Sequence, residues 1–121
     1  MYKRTILSGV ALSLLLVSQG VLAHAHLKSS QPAADAALTA SPQALTLSFS
    51  EDVEPAFSGV TLLDASQKPV ASEKAQQDAQ QHSRLIVPLK TPLAAGDYQV
   101  NWHVLSVDGH KTQGSYRFSV K

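Results

Sequence analysis

From residue 44 onward the chain is built from short runs in which apolar side chains fall on every second position. Leu45, Leu47 and Phe49 alternate with Thr46, Ser48 and Ser50, the period of a strand with one buried face. Val60 to Leu63 is a second apolar run, opened by Ser58-Gly59 and closed by Asp64, and Leu85-Ile86-Val87 is a third. Tyr98, Val100, Trp102 and Val104 alternate with Gln99, Asn101, His103 and Leu105 and predict the longest strand. Tyr116, Phe118 and Val120 predict the last. Pro32, Pro42, Pro55, Pro69, Pro88 and Pro92 stand between or at the ends of these runs, where a lost amide donor is tolerated. The polar stretch from Ser72 to Ser83 reads equally as a loop or a short helical excursion. About seven short antiparallel strands separated by turn residues predict an all-β, immunoglobulin-like Greek-key sandwich. Tyr98 follows the turn Ala94-Ala95-Gly96-Asp97 and opens a long strand, as in a tyrosine corner, and Trp102 on the same face predicts the centre of the core.

The N-terminus has a different pattern. Tyr2, Lys3 and Arg4 precede a mostly apolar run from Ile6 to Val17, and Val21-Leu22-Ala23 places small residues around a cut after Ala23. This is the layout of a secretory signal peptide, and the run is shorter than the roughly 20 apolar residues that span a bilayer. The expected organisation is a cleaved signal over residues 1–23 and one domain over residues 24–121. A cut after Ala25 also satisfies the small-x-small rule and would leave His26 first. Of 121 residues, 98 remain after the favoured cut, enough for a single modest core.

Composition narrows the chemistry. The leader takes Lys3 and Arg4 and no acid, so the formal charge passes from +1 to −1 and neither a nucleic-acid patch nor membrane insertion of the mature chain is expected. The chain has no cysteine and its one methionine is Met1. The mature protein therefore has no sulfur, and any metal must be held by nitrogen and oxygen.

Cleavage after Ala23 makes His24 the first residue. Its α-amine (ordinary pKa about 7.7–8.0) and imidazole (about 6.5) both lose protons near neutral pH. Together they close a six-membered chelate ring on one ion. Amine and imidazole nitrogens in tetragonal geometry suit Cu(II), which also heads the affinity order of first-row divalent ions. Further ligands are expected from Asp108 and His110, which flank Gly109 just after the longest strand. If the strand continues, the two side chains point the same way; if it turns, Gly109 permits the bend. Glu51, in SFSEDVEP, is expected to reach the metal-bound amine or imidazole as an outer hydrogen-bond acceptor.

The same residues admit a rival. A free N-terminus with histidine in third place wraps Cu(II) or Ni(II) in a square plane through the amine, two deprotonated backbone amides and the third imidazole. His24-Ala25-His26 fits, and this chelate needs no fold. A strand starting at His26 or Leu27 would tie up those amides and oppose it. His82 is expected in solvent, and His103 either in solvent or near Asp108. Ser106, Asp108 and His110 stand too close on one strand for a hydrolase triad.

HAHL, SSQPAADAAL, LTLSFSEDVE, FSGV, PLAAGDYQVNWHVLSVDGH and GSYRFSVK, in this order, resemble the CopC family of periplasmic copper-binding proteins, most closely its short single-domain enterobacterial branch. The resemblance implies a cupredoxin-like, immunoglobulin-like fold and one Cu(II) per chain. It implies ligands at His24, Asp108 and His110, with Glu51 near the metal. It also implies a monomer in the periplasm serving copper sequestration or hand-over, and a CopD-type inner-membrane protein as partner. The methionine-rich Cu(I) segment of some members is missing from this chain. Two other functions use the same features: a copper oxidative enzyme with an N-terminal histidine, and a metal-free immunoglobulin-like interaction domain. The enzyme would need open coordination positions and an aromatic substrate face, whereas the aromatic residues here fall mostly on expected core positions.

Overall fold

The computed structural model describes residues 25–121. The expected signal segment and its alternative cut sites lie, with His24, at or beyond that boundary, so the signal peptide falls outside the described residues. Eight strands form two sheets. They are β1 (Leu27–Gln31), β2 (Ala37–Leu38), β3 (Ala44–Phe49), β4 (Gly59–Leu63), β5 (Gln76–Gln77), β6 (Arg84–Pro88), β7 (Gly96–Leu105) and β8 (Lys111–Val120). One sheet has the order β1-β3-β6-β5 and the other β2-β8-β7-β4. All pairings are antiparallel except the two-residue contact of β2 with β8. The all-β sandwich expected from the strand pattern is the observed fold.

Each run with period-two alternation is a strand. β8 is longer than its apolar signal, because Lys111 to Ser115 pair with Asn101 to Leu105 although their side chains carry little apolar pattern. Between Ser72 and Ser83 the chain forms the bridge of Ser72 to Leu89 and the short strand β5, paired with β6, and no helix. A 3₁₀ turn at Pro55–Phe57 precedes β4.

The core lies between the sheets. Leu45, Leu47 and Phe49 of β3 and Leu85 and Val87 of β6 face Val100, Trp102 and Val104 of β7 and Tyr116, Phe118 and Val120 of β8. Burying each such large side chain contributes about 1.5–3 kcal/mol. Phe49 meets Trp102 edge-on across the two sheets, with ring centroids 5.1 Å apart. Tyr98 stacks on its cross-strand partner Phe118 at 5.6 Å, and its hydroxyl donates to the Ala94 carbonyl at 2.6 Å, completing the tyrosine corner.

Three segments meet at one end of this sandwich. Leu27 of β1 pairs with Phe49, Val53 bridges Ser106 beyond the end of β7, and the Val107 amide donates to the Asp52 carbonyl at 3.1 Å. The start of β1, the segment after β3 and the β7–β8 loop are thereby fixed to one another.

Gly114 lies opposite Trp102, and a Cβ there would stand 2.6 Å from the indole Cζ2. Gly114→Ala is therefore expected to destabilise the fold by about 1–3 kcal/mol through overpacking. Urea unfolding followed by Trp102 fluorescence measures this, and an unchanged midpoint would mean that the indole moves aside without cost.

Candidate metal centre

The centre begins where the longest ladder ends. Leu105 and Lys111 are the last paired residues of β7 and β8, and Ser106-Val107-Asp108-Gly109-His110 closes the hairpin. The Gly109 amide donates to the Ser106 carbonyl and the Ser106 amide to the His110 carbonyl, both at 2.9 Å. Gly109 has φ +94°, a conformation that side chains oppose. Asp108 and His110 therefore converge through a turn, not through the alternation of a continuing strand.

Ser106 anchors the turn. It is 1% exposed and is the one buried polar side chain among the described residues. Its hydroxyl donates to Asp108 Oδ1 and lies 3.3 Å from the His110 amide nitrogen, which also donates to Asp108 Oδ1 at 3.3 Å. His110 Nδ1 is 3.2 Å from the same carboxylate oxygen. The Ser106 hydroxyl is the largest influence holding the Asp108 carboxyl below its ordinary pKa; partial desolvation opposes it, and the imidazole and amide of His110 add to it. Asp108 is thus a carboxylate at neutral pH, and both side chains remain open to solvent, Asp108 at 40% and His110 at 52%.

The first described residues are held beside this turn. Ala25 is fully buried, and its carbonyl accepts a hydrogen bond from Thr112 Oγ1 at 2.8 Å. Thr112 stands two residues beyond His110. The His26 amide donates to Ser50 Oγ at 2.9 Å, and the Ser50 amide returns a bond to the His26 carbonyl at 2.9 Å. His24 itself lies outside the described residues. Glu51 is half-buried at the same end, directly after Ser50.

The remaining histidines have other surroundings. The His103 imidazole packs over Gly59 of the neighbouring strand, where a Cβ would approach its Cε1 to 2.7 Å. His82 is exposed, and its carbonyl accepts from the Val53 amide and from Gln77 Nε2. The hydroxyl of Ser106 is directed to a carboxylate and to backbone. Among the described residues no three histidine or acidic side chains gather as a metal cage. Asp108 and His110 place one carboxylate and one imidazole side by side.

Ser50, Ser106 and Thr112 were not among the residues expected at the site. Ser106 does carry a sequence signal. It continues the inward series Tyr98, Val100, Trp102, Val104 and is the first polar member of it. Ser106→Ala is expected to raise the Asp108 pKa towards its ordinary value, as read by NMR titration. The sign follows from linkage. A carboxyl with a lowered native pKa contributes stability above its unfolded value of about 3.9, and that stability is lost as pH falls through the native value. Losing the Ser106 bond therefore moves the acid limb of the stability profile to higher pH.

The comparisons with known proteins extend over this whole architecture. The CopC domain profile matches residues 27–121. Protein YobA of Escherichia coli K12 is 51% identical over 106 residues, spanning 88% of this chain and 86% of YobA. Copper resistance protein C of Escherichia coli is 38% identical over 112 residues and 87% of each chain. Among solved structures, CopC from Methylosinus trichosporium OB3b superimposes with a TM-score of 0.76 at 38% identity, covering 81% of this chain and 94% of that one. PcoC, a methionine-rich copper resistance protein from Escherichia coli, gives 0.74 at 38% identity, covering 82% and 100%. Matched along its full run of strands, in sequence and in backbone, the chain belongs to the CopC family.

Proposed function

We propose that this protein is an exported, monomeric Cu(II) carrier of the periplasm. It holds one ion per mature chain and sequesters it or hands it to a CopD-type inner-membrane protein. The copper is cargo, and the donors are the amine and imidazole of His24, the carboxylate of Asp108 and the imidazole of His110. Glu51 stands near as an outer acceptor. The observation that carries this reading is the placement of Ala25, latched to Thr112 beside the Asp108–His110 turn. One peptide bond joins His24 to Ala25, so their Cα atoms are about 3.8 Å apart.

The residues present fit the ion. Two donors at a right angle on one first-row metal, with bonds of about 2.0–2.2 Å, stand about 2.9 Å apart. Asp108 Oδ1 and His110 Nδ1 are 3.2 Å apart, a contact whose proton would leave as the ion binds. The carboxyl is ionised before metal arrives, and no thiol or mature-chain thioether competes for a softer ion. The relatives named copper resistance protein C support copper as the metal. Among the described residues no helix is long and apolar enough to cross a membrane.

Two measurements test this reading. A competitive Cu(II) titration compares protein starting at His24 with protein carrying one added glycine before it. A sharp fall in affinity on extension is expected, because the amine moves away from its imidazole; equal affinities would remove His24 from the site. Asp108→Ala and His110→Ala are each expected to weaken Cu(II) by more than about 100-fold, beyond the 10–100-fold typical of outer partners. With the parent, copper at a hundred times its dissociation constant should add about 2.7 kcal/mol of stability, seen as a rise in Tm.

A further inference from the structure

His24-Ala25-His26 holds the donors of a second copper chelate that needs no fold. It binds through the amine, the amide nitrogens of Ala25 and His26, and the His26 imidazole, with the two amide protons passing to solvent. Both modes use the same amine, so the protein must choose. The structure bears on that choice at one peptide unit, the one between Ala25 and His26. In a trans peptide the carbonyl and the N–H point in opposite directions. Here both are occupied: the Ala25 carbonyl by Thr112 Oγ1 at 2.8 Å, and the His26 N–H by Ser50 Oγ at 2.9 Å. The return bond from the Ser50 amide to the His26 carbonyl and the full burial of Ala25 leave this unit little freedom to rotate.

We propose that Ser50 and Thr112 are positioning residues that clamp the Ala25–His26 peptide, keep its nitrogen from the metal, and so commit the N-terminal amine to the Asp108–His110 site. The inference rests on the copper reading above and adds the device that selects between two chelates. It also bears on which metal is taken. The planar four-nitrogen chelate accepts Ni(II) as well as Cu(II), whereas the folded set includes a carboxylate oxygen. A clamped N-terminus therefore disfavours Ni(II), and an unclamped one admits it. Neither Ser50 nor Thr112 offers a metal-binding nitrogen or a carboxylate, so their effect on the spectrum must act through residues 25 and 26.

The test uses the mature protein beginning at His24, loaded with one equivalent of Cu(II) and read by visible absorption and electron paramagnetic resonance. The variants are Ser50→Ala, Thr112→Val, the two combined, Thr112→Ser, and the combined variant carrying His26→Ala. Trp102 fluorescence confirms that each is folded. The parent is expected to give a mixed nitrogen–oxygen spectrum that Asp108→Ala changes and His26→Ala does not. In the combined variant the four-nitrogen species, with its absorption at shorter wavelength, should rise by about tenfold or more relative to the mixed one, as expected for two lost hydrogen bonds. His26→Ala should remove that species, and Thr112→Ser, which keeps the hydroxyl, should behave as the parent. If the combined variant is folded and keeps the parent's spectrum, the clamp is refuted while the folded copper site stands. Should it fail to fold, each single variant must still show a smaller shift in the same direction, and the parent spectrum in both would refute the clamp equally. A parent that already shows the four-nitrogen spectrum, abolished by His26→Ala, would overturn the folded site and the clamp together.

Discussion

The pairing of β7 with β8 is the constraint on which the rest of the molecule depends. Ten antiparallel pairs run without interruption from Gly96–Val120 to Leu105–Lys111. That register brings the Trp102 indole over Gly114 and stacks Tyr98 on Phe118, and Trp102 in turn holds the opposite sheet through Phe49. It also determines the course of the chain beyond the ladder. Side chains alternate strictly along a strand, so Ser106 inherits the inward direction of Val104. A buried hydroxyl without a partner costs free energy, and Ser106 meets that demand with the Asp108 carboxylate and the His110 backbone. The Asp108–His110 turn is in this sense a consequence of core register. A one-residue slip would turn Ser106 outward and dissolve the turn along with the core.

The N-terminal part of the site is held by weaker means. β1 is an edge strand with mostly exposed side chains, and residues 25 and 26 depend on three hydrogen bonds and one buried methyl group. Local opening of such a segment costs far less than opening the β7–β8 ladder. On the proposed assignment the donors divide: Asp108 and His110 close the long β7–β8 hairpin, while His24 precedes the edge strand β1 in sequence. In a copper carrier that division permits release to begin at the N-terminus, with the hairpin donors and the core left in place.

Most of the fold was legible because five of the eight strands have one face against the core, which writes a period of two into their sequences. β1, β2 and β5 were not, since they lie at sheet edges with largely exposed residues and are defined by the strands they pair with. That Asp108 and His110 meet was legible from the single glycine between them; whether they converged by strand or by turn was not, because it depends on where the ladder stops. Ser50 and Thr112 were illegible in principle. Their roles come from hydroxyl contacts to residues 24 and 87 positions away in the chain, and nothing local marks them. His103 was left between solvent and the Asp108 surroundings, and its place over Gly59 follows from the β4–β7 register.

The distribution of aromatic side chains bears on what the copper would do. An enzyme that oxidises a polymer at an N-terminal histidine site must present a broad apolar face around the metal and leave coordination positions open for oxygen. In this molecule Phe49, Tyr98, Trp102, Tyr116 and Phe118 are all committed to the core, and Phe57, at 67% exposure, is the one aromatic ring on the described surface. The proposed donor set fills the tetragonal plane with three nitrogens and an oxygen, while Asp108 and His110 remain half open to solvent. Such an arrangement would keep the ion accessible to a protein acceptor that exchanges ligands one at a time. Among the described residues, the rings that make the sandwich stable are thereby withheld from the surface around Asp108 and His110.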